Sequence, residues 1–545
     1  MGMAYENTAV WTRREIAERI LQGENLVIYR GQLLKIPHSW LQAHPGGSLA
    51  ILHFVGRDAT DEIDAFHAEE TMGSKVKNYL VGKVELSARG LWEPLTPPVA
   101  LGWVWKSHKS GGKEGEWVRE AKARTQAEDE QLLSSEILLV GNKDPARGLS
   151  EKRTEKESLA PTLESLQPPP PPTVISLQEQ TDHSRAFQEL HQQIIDAGLY
   201  ETPYLSGYGP EIVRYLTGYA LSAVAFYYGW YMTSAFFLGL VWHQLTFTAH
   251  DLGHMGVTHD WALDRLIGIF VADFCGGLSI GWWVDNHNIH HLVPNHPTHD
   301  PDIQHLPFFA ISKSFLNNLY SSYYRRIMLF DAFATFVLRF QHQLYYIIMS
   351  FARFNLYANS YGFLYKRAFD GKRARGGKWT FYLEVIAIAM FWMWYGALLA
   401  HIGDWKRILG FVLISHMVPS PLHVQIVLSH FARSTQDLGP SESFVHRQLR
   451  TTTDVICPDS LAFLHGGLHL QVTHHLFPRL PRHNLRKASL LVKEYATERG
   501  LQYHEFGFIK GNGEVLGVLR DVAEQARIVQ MVAREEIREA LDSVH

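Results

Sequence analysis

The sequence predicts a multidomain protein: a small α+β domain, a disordered tether, and an all-α integral-membrane domain of about four transmembrane helices with further helices at the interface. Three observations predict it. Histidines recur in clusters at helical spacing: His250 and His254 at i, i+4; His287, His290 and His291 at i, i+3, i+4; and His474 and His475 at the same offsets after Gln471. On a helix those positions share one face, so each cluster aims its imidazoles together. The run Tyr215–His250, 36 residues, lacks Asp, Glu, Lys and Arg and is long enough for two spans of ~17–20 residues joined by a tight turn. Between Leu91 and Gln180 there is no sustained apolar period, and five consecutive prolines, Pro168–Pro172, interrupt charged stretches, leaving too little burial to offset ordering.

Composition narrows the chemistry. A net charge of −4 gives no reason to expect a nucleic-acid partner. Ten of the 30 histidines fall between His243 and His305, which marks one region as a metal site. Cys275 and Cys457 are too few for a disulfide framework, Cys₄ zinc or an iron–sulfur cluster. Met1–Trp11 has no basic segment leading into an apolar run, so no cleavable signal peptide is expected.

Residues 5–90 form the α+β domain. Thr12 is a helix cap before Arg13-Arg14-Glu15, and Asn25–Tyr29 alternates as a strand into an Arg30-Gly31-Gln32 turn. His44-Pro45-Gly46-Gly47 follows, and His67 lies 23 residues beyond His44. Here the sequence resembles cytochrome b5. The resemblance implies haem b with His44 and His67 as its axial ligands. Glycines after a histidine let the backbone turn close to a flat macrocycle. Two imidazoles close the iron to six-coordination, which suits electron exchange and not O2 binding. His53 reads as a packed or surface residue.

Residues 91–185 read as the flexible Pro-containing linker, with 116–140 a candidate exposed helix. Residues 186–510 make the membrane domain, opening on an amphipathic helix over Ala186–Leu199. The turn of the first hairpin falls near Gly229–Ser234. Trp261–Trp283 is apolar but carries Asp264, Arg265 and Asp273, which predicts a helix at the interface. Pro307–Tyr365 mixes Tyr and Phe with Arg325, Arg326, Arg339 and Arg353, as helices in the headgroup layer do. The basic block Lys366, Arg367, Lys372, Arg373, Arg375 and Lys378 belongs in the cytosol by the positive-inside rule. Val385–Gly403 and Ile408–Phe431 are two more uncharged spans, the second kinked by Pro419 and Pro421. Residues 511–545 are expected to form a C-terminal cytosolic helix.

Four spans bring every histidine cluster back to the side on which the chain begins; an odd count would separate ligands by about 30 Å of hydrocarbon. The clusters supply seven imidazoles, too many for one metal and enough for two irons with room for O2. His430, at the end of the fourth span, is an eighth candidate, since an imidazole there needs a partner. The expected metal ligands are therefore His250, His254, His287, His290, His291, His430, His474 and His475. Gln471 is counted with the catalytic residues, orienting a ligand or water, and not as a metal ligand. Asp251 and Asp285 are candidate acceptors for ring N–H groups. His296 and His299 read as loop or supporting residues.

At these three clusters the chain resembles membrane fatty-acyl and lipid desaturases. The b5-like domain and the Gln that opens Gln471-Val472-Thr473-His474-His475 are similar to front-end desaturases. Ser39–Gly47 and His287-Asn288-Ile289-His290-His291 look most like fungal Δ8 sphingolipid (long-chain-base) desaturases. The resemblance implies an oxidoreductase with haem b and two non-haem irons, acting on ceramide or a long-chain base with O2. Electrons would come from NADH through a cytochrome b5 reductase. It places the protein in the endoplasmic reticulum membrane, with haem domain, di-iron site and C-terminus cytosolic. The alternatives are a front-end fatty-acyl desaturase of Δ5 or Δ6 type, a b5-fused lipid hydroxylase, and, outside enzymes, a membrane haem electron carrier.

Overall fold

The computed structural model describes residues 9–41, 43–107, 115–120, 160–167, 175–369 and 377–542. The N-terminal fold starts from a reciprocal cap. The Thr12 hydroxyl accepts from the Glu15 amide while the Glu15 carboxylate accepts from the Thr12 amide, opening α1 (Arg13–Leu21) with Ile16, Ala17 and Ile20 inward. Strands β1 (Val10–Trp11), β2 (Asn25–Tyr29), β3 (Gln32–Ile36) and β4 (Leu80–Val84) make a sheet in the order β1-β4-β3-β2. β1 runs parallel to β4, and the other pairs are antiparallel. Against it lie α2 (Leu49–Leu52), α3 (Thr60–Phe66) and α4 (Glu69–Tyr79). His44 lies just before α2 and His67 just after α3, which sets the two rings opposite each other.

The expected linker over 91–185 is partly a strap. Trp92, Leu95 and Leu166 are buried in the same core as Ile16, Ile28 and Leu33, and the Trp92 indole N–H donates to the Gly56 carbonyl at 3.2 Å. An antiparallel hairpin, Trp103–Ser107 with Gly115–Arg119, adds the Trp117 indole on the Leu21 carbonyl at 2.8 Å. A few large apolar side chains, spaced with no period, are enough to offset the ordering of these segments. The candidate helix over 116–140 begins in that hairpin; its remainder, the charged stretches and Pro168–Pro172 lie outside the described residues.

Helix α5 (Leu177–Asp196), capped by Ser176, begins earlier than expected and buries Phe187, Leu190 and Ile194. Helices α6 (Gly209–Tyr227) and α7 (Tyr231–Gly253) form the expected hairpin, reversing at Gly229 with φ +76°. Val213, Leu216, Val224 and Phe236 point outward from it. The expected helix over Trp261–Trp283 is divided. α8 (Trp261–Gly268) runs into wide helical turns over Ile269–Phe274, and the chain reverses before α9 (Ile280–Leu292). The reversal is fixed by the Asp273 carboxylate, which accepts the Ile280 amide at 3.1 Å, and by Ser279, which caps α9. Arg353, on α10 (Ala352–Ala368), does not reach a headgroup layer. It is buried 4.4 Å over the Trp242 ring and donates to the Gly276 carbonyl at 2.7 Å, because that reversal leaves carbonyls needing a donor.

Among the described residues, two helical runs are long and apolar enough to cross a membrane: α11 (Gly377–Ile402) and Trp405–Phe431. The second divides at Pro419 into α12 (Trp405–Met417) and α13 (Ser420–Phe431), where proline removes a helix donor. The basic block is described only at Lys366, Arg367 and Lys378. The expected boundary at 510/511 falls inside one helix, α16 (Phe508–Asp542), after α14 (Phe444–Thr451) and α15 (Gln471–Leu476). Its Val515, Leu519 and Val522 pack with Tyr345, Val424 and Leu428, so the helix is part of the membrane-domain core and not a separate appendage.

The N-terminal domain sits directly on α9. Leu49 packs with Ile289 and Val293, and Leu292 with Val27, Phe54 and Ala59. The Asp61 carboxylate accepts from Ser184 Oγ at 2.6 Å and from Gln188 Nε2 at 3.0 Å on α5. At Gly47 (φ +82°) an added Cβ would lie 2.8 Å from the Asp285 carboxylate of α9, so only glycine allows this approach. Leu166→Ala is expected to destabilise the N-terminal domain by about 2–5 kcal/mol and to speed hydrogen exchange in β2 and β3 of the full chain. A free tether at Leu166 would leave that exchange unchanged.

Candidate metal centre

Four helices, two of them at their ends, supply eight buried imidazoles. His250 near the end of α7, His254 just past it, His287 and His291 on α9 and His474 on α15 each offer a ring nitrogen within 4.8 Å of the others. His290 on α9, His430 at the end of α13 and His475 on α15 form a second group within the same limit. Helix α9 serves both groups because His287 and His291, one turn apart, face one way and His290 faces another. The His291 and His475 rings stack at 4.0 Å between centres and join the two groups.

The hydrogen bonds decide which nitrogens are free. His287 Nδ1 lies 3.2 Å from Asp302 and His290 Nδ1 2.9 Å from Asp300, so both Nδ1 atoms carry the proton and donate it. The Gln448 amide nitrogen donates to the His291 carbonyl at 2.7 Å, so its oxygen accepts from His475 Nδ1 at 3.0 Å. The Nε2 atoms of His287, His290 and His475 therefore hold lone pairs. Yet His287 Nε2 lies 3.1 Å from His291 Nε2, His291 Nε2 lies 3.1 Å from His474 Nε2, and His290 Nε2 lies 3.3 Å from His430 Nε2. Each pair is close enough for one ring N–H to donate to the other nitrogen, and neighbouring ligands bonded at about 2.1 Å to one metal are also about this far apart, so the same arrangement accommodates a cation. His254 Nε2 and His475 Nε2 are buried without a hydrogen-bond partner.

Electrostatics favour metal over protons. Burial pushes His287 down against the pull of Asp302, and burial with neighbouring imidazoles pushes His291 and His475 well down. Burial works against charge on His290 too, but Asp300 and Asp302 outweigh it and hold the ring above its ordinary value, as carboxylate partners of metal-bound histidines do. Neutral imidazoles from eight residues suit iron, zinc, copper or nickel.

The supports differ from those expected. Asp251 lies 3.6 Å from His250 Nδ1 without a hydrogen bond to it; Arg482 donates to it at 2.6 Å and Tyr208 at 2.6 Å, and Arg482 also pairs with Glu211. That buried network ties α6 and α7 to the segment after α15. Asp285 faces Gly47 and Tyr323 in place of a ring. Asp300 and Asp302 hold the rings instead, set by a turn in which Asp300 accepts the amides of Asn295 and Asp302 at 2.7 and 2.8 Å. Asn295 itself donates to the His430 carbonyl at 2.9 Å. Sequence reading missed Asp300, Asp302, Asn295 and Gln448; the Asp300-Pro301-Asp302 pair soon after the second cluster was the available signal. Gln471 is buried one turn before His474 and His475 on α15, its side-chain oxygen without a partner. His296 and His299 lie in the following loop, His299 donating to or accepting from Ser322 at 2.8 Å and packing 4.7 Å from His53. Trp283 covers His254 and His287 at 5.1 and 4.4 Å, and Gly253 is needed there because a Cβ would strike its ring.

The second site lies in the N-terminal domain. The His44 and His67 rings are 6.1 Å apart between centres. Each Nδ1 is held by a carbonyl at 3.0 Å, Gly47 for His44 and Ile63 for His67, which leaves both Nε2 atoms free to bind. Burial, then the neighbouring His67, pushes His44 down to about 4. Two neutral imidazoles at this spacing leave room for one metal atom bonded at about 2 Å on each side. His44 also lines a largely polar cavity of about 620 Å³ with Leu49, Trp282, Asp285, Arg325, Arg326 and Lys366.

Comparison with known proteins identifies the family of each part of the chain. Residues 224–507 match the fatty acid desaturase family, and residues 12–85 match the cytochrome b5-like heme/steroid binding domain. The chain is 41% identical to a Delta 8-(E)-sphingolipid desaturase of Emericella nidulans, over 99% of each chain. It is 42% identical to one of Komagataella phaffii, over 98% of this chain and 96% of that one. A Delta(8)-fatty-acid desaturase of Helianthus annuus is 35% identical over 64% of this chain and 75% of its own.

Asp300→Asn keeps the shape at Asp300 but removes the charge that holds His290. It is expected to weaken metal binding by about 10–100-fold, read as metal content after dialysis, with the fold retained by circular dichroism.

Proposed function

We propose that this chain, which belongs to the fatty acid desaturase family, is an O2-dependent desaturase that introduces a Δ8 double bond into the long-chain base of sphingolipids, with electrons from its own cytochrome b5-like domain. One observation carries the reading: two buried groups of imidazoles with converging ring nitrogens lie beneath a paired-imidazole site in the same polypeptide. A haem electron carrier has no use for the eight. The full-length likeness to fungal Delta 8-(E)-sphingolipid desaturases supports the substrate, ceramide or a free long-chain base.

The residues fit the implied groups. His44 and His67 would hold haem b, and the eight imidazoles two non-haem irons, five donors at one and three at the other. Bound there, the irons would supply O2 activation, so that two neighbouring methylenes lose two hydrogens while O2, two electrons and two protons become two waters. The chain's own part is to prepare the donors and keep the site dry. Asp300, Asp302 and Gln448 keep the Nδ1 protons away from the metal side. Trp283 closes the centre over the first group, so that water does not compete for the reacting carbons. Gln471, with a free amide oxygen beside His474, is positioned to orient a ligand water or a polar group of the lipid.

The proposed topology has four spans, α6, α7, α11 and the α12–α13 run. Both metal sites and the C-terminus then face the cytosol, where an NADH-dependent cytochrome b5 reductase would load the haem, and the endoplasmic reticulum is the proposed membrane. The outward apolar side chains of α6 and α7 support counting that hairpin.

Expression in a host lacking sphingoid Δ8 unsaturation is expected to give long-chain bases lighter by two hydrogens. A gain of one oxygen would instead identify a hydroxylase, and unsaturation confined to acyl chains a fatty-acyl enzyme. His44→Ala is expected to abolish NADH-driven turnover with non-haem iron content unchanged; turnover at the wild-type rate would refute the electron route.

A further inference from the structure

We propose that electrons leave the haem domain through Phe66 and enter the metal centre at His291. The proposal rests on the function proposed above and names the residues that join its two halves. Helix α3 ends at Phe66, and the chain becomes extended at His67 (φ −127°, ψ 145°), so the two neighbouring side chains diverge. His67 faces His44, while the Phe66 ring meets the His291 ring edge-on at 6.0 Å between centres and 87° between planes. That is the geometry of a close aromatic contact. Between a haem ligand and a metal ligand there is then one peptide linkage and one van der Waals gap.

Phe66 is held from both sides. It packs against the cluster of Val27, Phe54, Ala59 and Leu292 and against the cluster of Ala65, Phe187, Val472 and Leu476, so its ring is fixed at the seam between the domains. His291 is suited to receive electrons for both metals. Its Nε2 lies 3.1 Å from those of His287 and His474 in the first group, and its ring stacks on His475 of the second. On the opposite face of the haem site, among the described residues, no ring of that domain meets a ring of the two imidazole groups. Gly46 and Gly47 abut Asn288 and Asp285 of α9, and neither belongs to the two imidazole groups.

With haem and iron bound, each transfer would move one electron, oxidising ferrous haem to ferric and reducing one ferric non-haem iron to ferrous. It happens twice per double bond, and Phe66 itself is neither oxidised nor protonated. Phe66 is thus a positioning residue, and its effect is confined to the step between the two sites.

The test uses the full chain loaded with haem and iron in lipid nanodiscs. The haem is reduced without air and then mixed with O2 and ceramide while its absorption is followed. Wild-type reoxidation is expected to depend on the non-haem iron; if it does not, the proposed function fails, whatever Phe66 does. Phe66→Ala is expected to slow reoxidation several-fold, with haem content and its reduction by NADH and reductase unchanged, and Phe66→Tyr to restore the rate. Hydrogen exchange of α3 and α5 reports the seating of the domain. A wild-type reoxidation rate in Phe66→Ala overturns the proposal. So does slowing accompanied by lost protection in α3 and α5, because Phe66 would then act only in docking.

Discussion

Eight imidazole lone pairs must be kept free of protons and within bonding distance of two points, inside a protein core. Imidazoles packed so closely would scatter if charged, and if neutral they would bond to one another or to passing backbone groups. For three of the rings the structure prevents both by committing the far nitrogen to a fixed acceptor. Asp300 and Asp302 do this for His290 and His287, and Gln448 for His475. Gln448 also grips the His291 carbonyl, so one side chain sets α9, α14 and α15 in register. A buried carboxylate beside a buried imidazole is costly when either stands alone, and each relieves the other here.

The same requirement explains the position of the N-terminal domain. Helix α9 carries three of the eight rings, two turned to one group and one to the other, and receives the domain on the rest of its surface, through Ile289, Leu292 and Val293. The glycines after His44 serve that seat: Gly47 lets the backbone come down on Asp285 where any side chain would collide. A single helix thus fixes the separation between the two metal sites. A shift in its register would disturb the centre and the docking together.

The periodicity of the histidines made the centre legible from sequence, because helical spacing alone dictates which rings share a face. His430 was legible for a different reason, as a polar group at the end of an apolar run. The supporting residues were not. Asp251 and Asp285 are near ligands along the chain, but at offsets of one and two residues a helix points them away, and Arg482 and the haem domain claim them. Asp300 and Asp302 come back to the rings through a turn at Asn295 (φ +57°), a tertiary event with no local period. The strap escaped notice for a related reason: Trp92, Leu95 and Leu166 are too few and too far apart to form a pattern, yet each finds a place in a core built elsewhere. Arg353 looked like a headgroup anchor because its aromatic neighbours suit an interface, and only the folded chain shows Trp242 beneath it.

The strap changes how the two halves find each other. If 91–185 were one free linker, the haem domain would explore a large volume and dock from low effective concentration. Instead Leu166 is fixed in the N-terminal core and Arg13 bonds Gln167 at 2.5 Å, while Ser176 already caps α5 in the membrane domain. Fewer than ten residues separate those anchors, and at full extension they reach at most about 30 Å. Reach is set by the short leash, which keeps the domain within a small displacement of the seat on α9. Repeated one-electron deliveries need that proximity more than they need a tight interface, and the contacts at Leu49, Phe54 and Asp61 have only to choose the orientation.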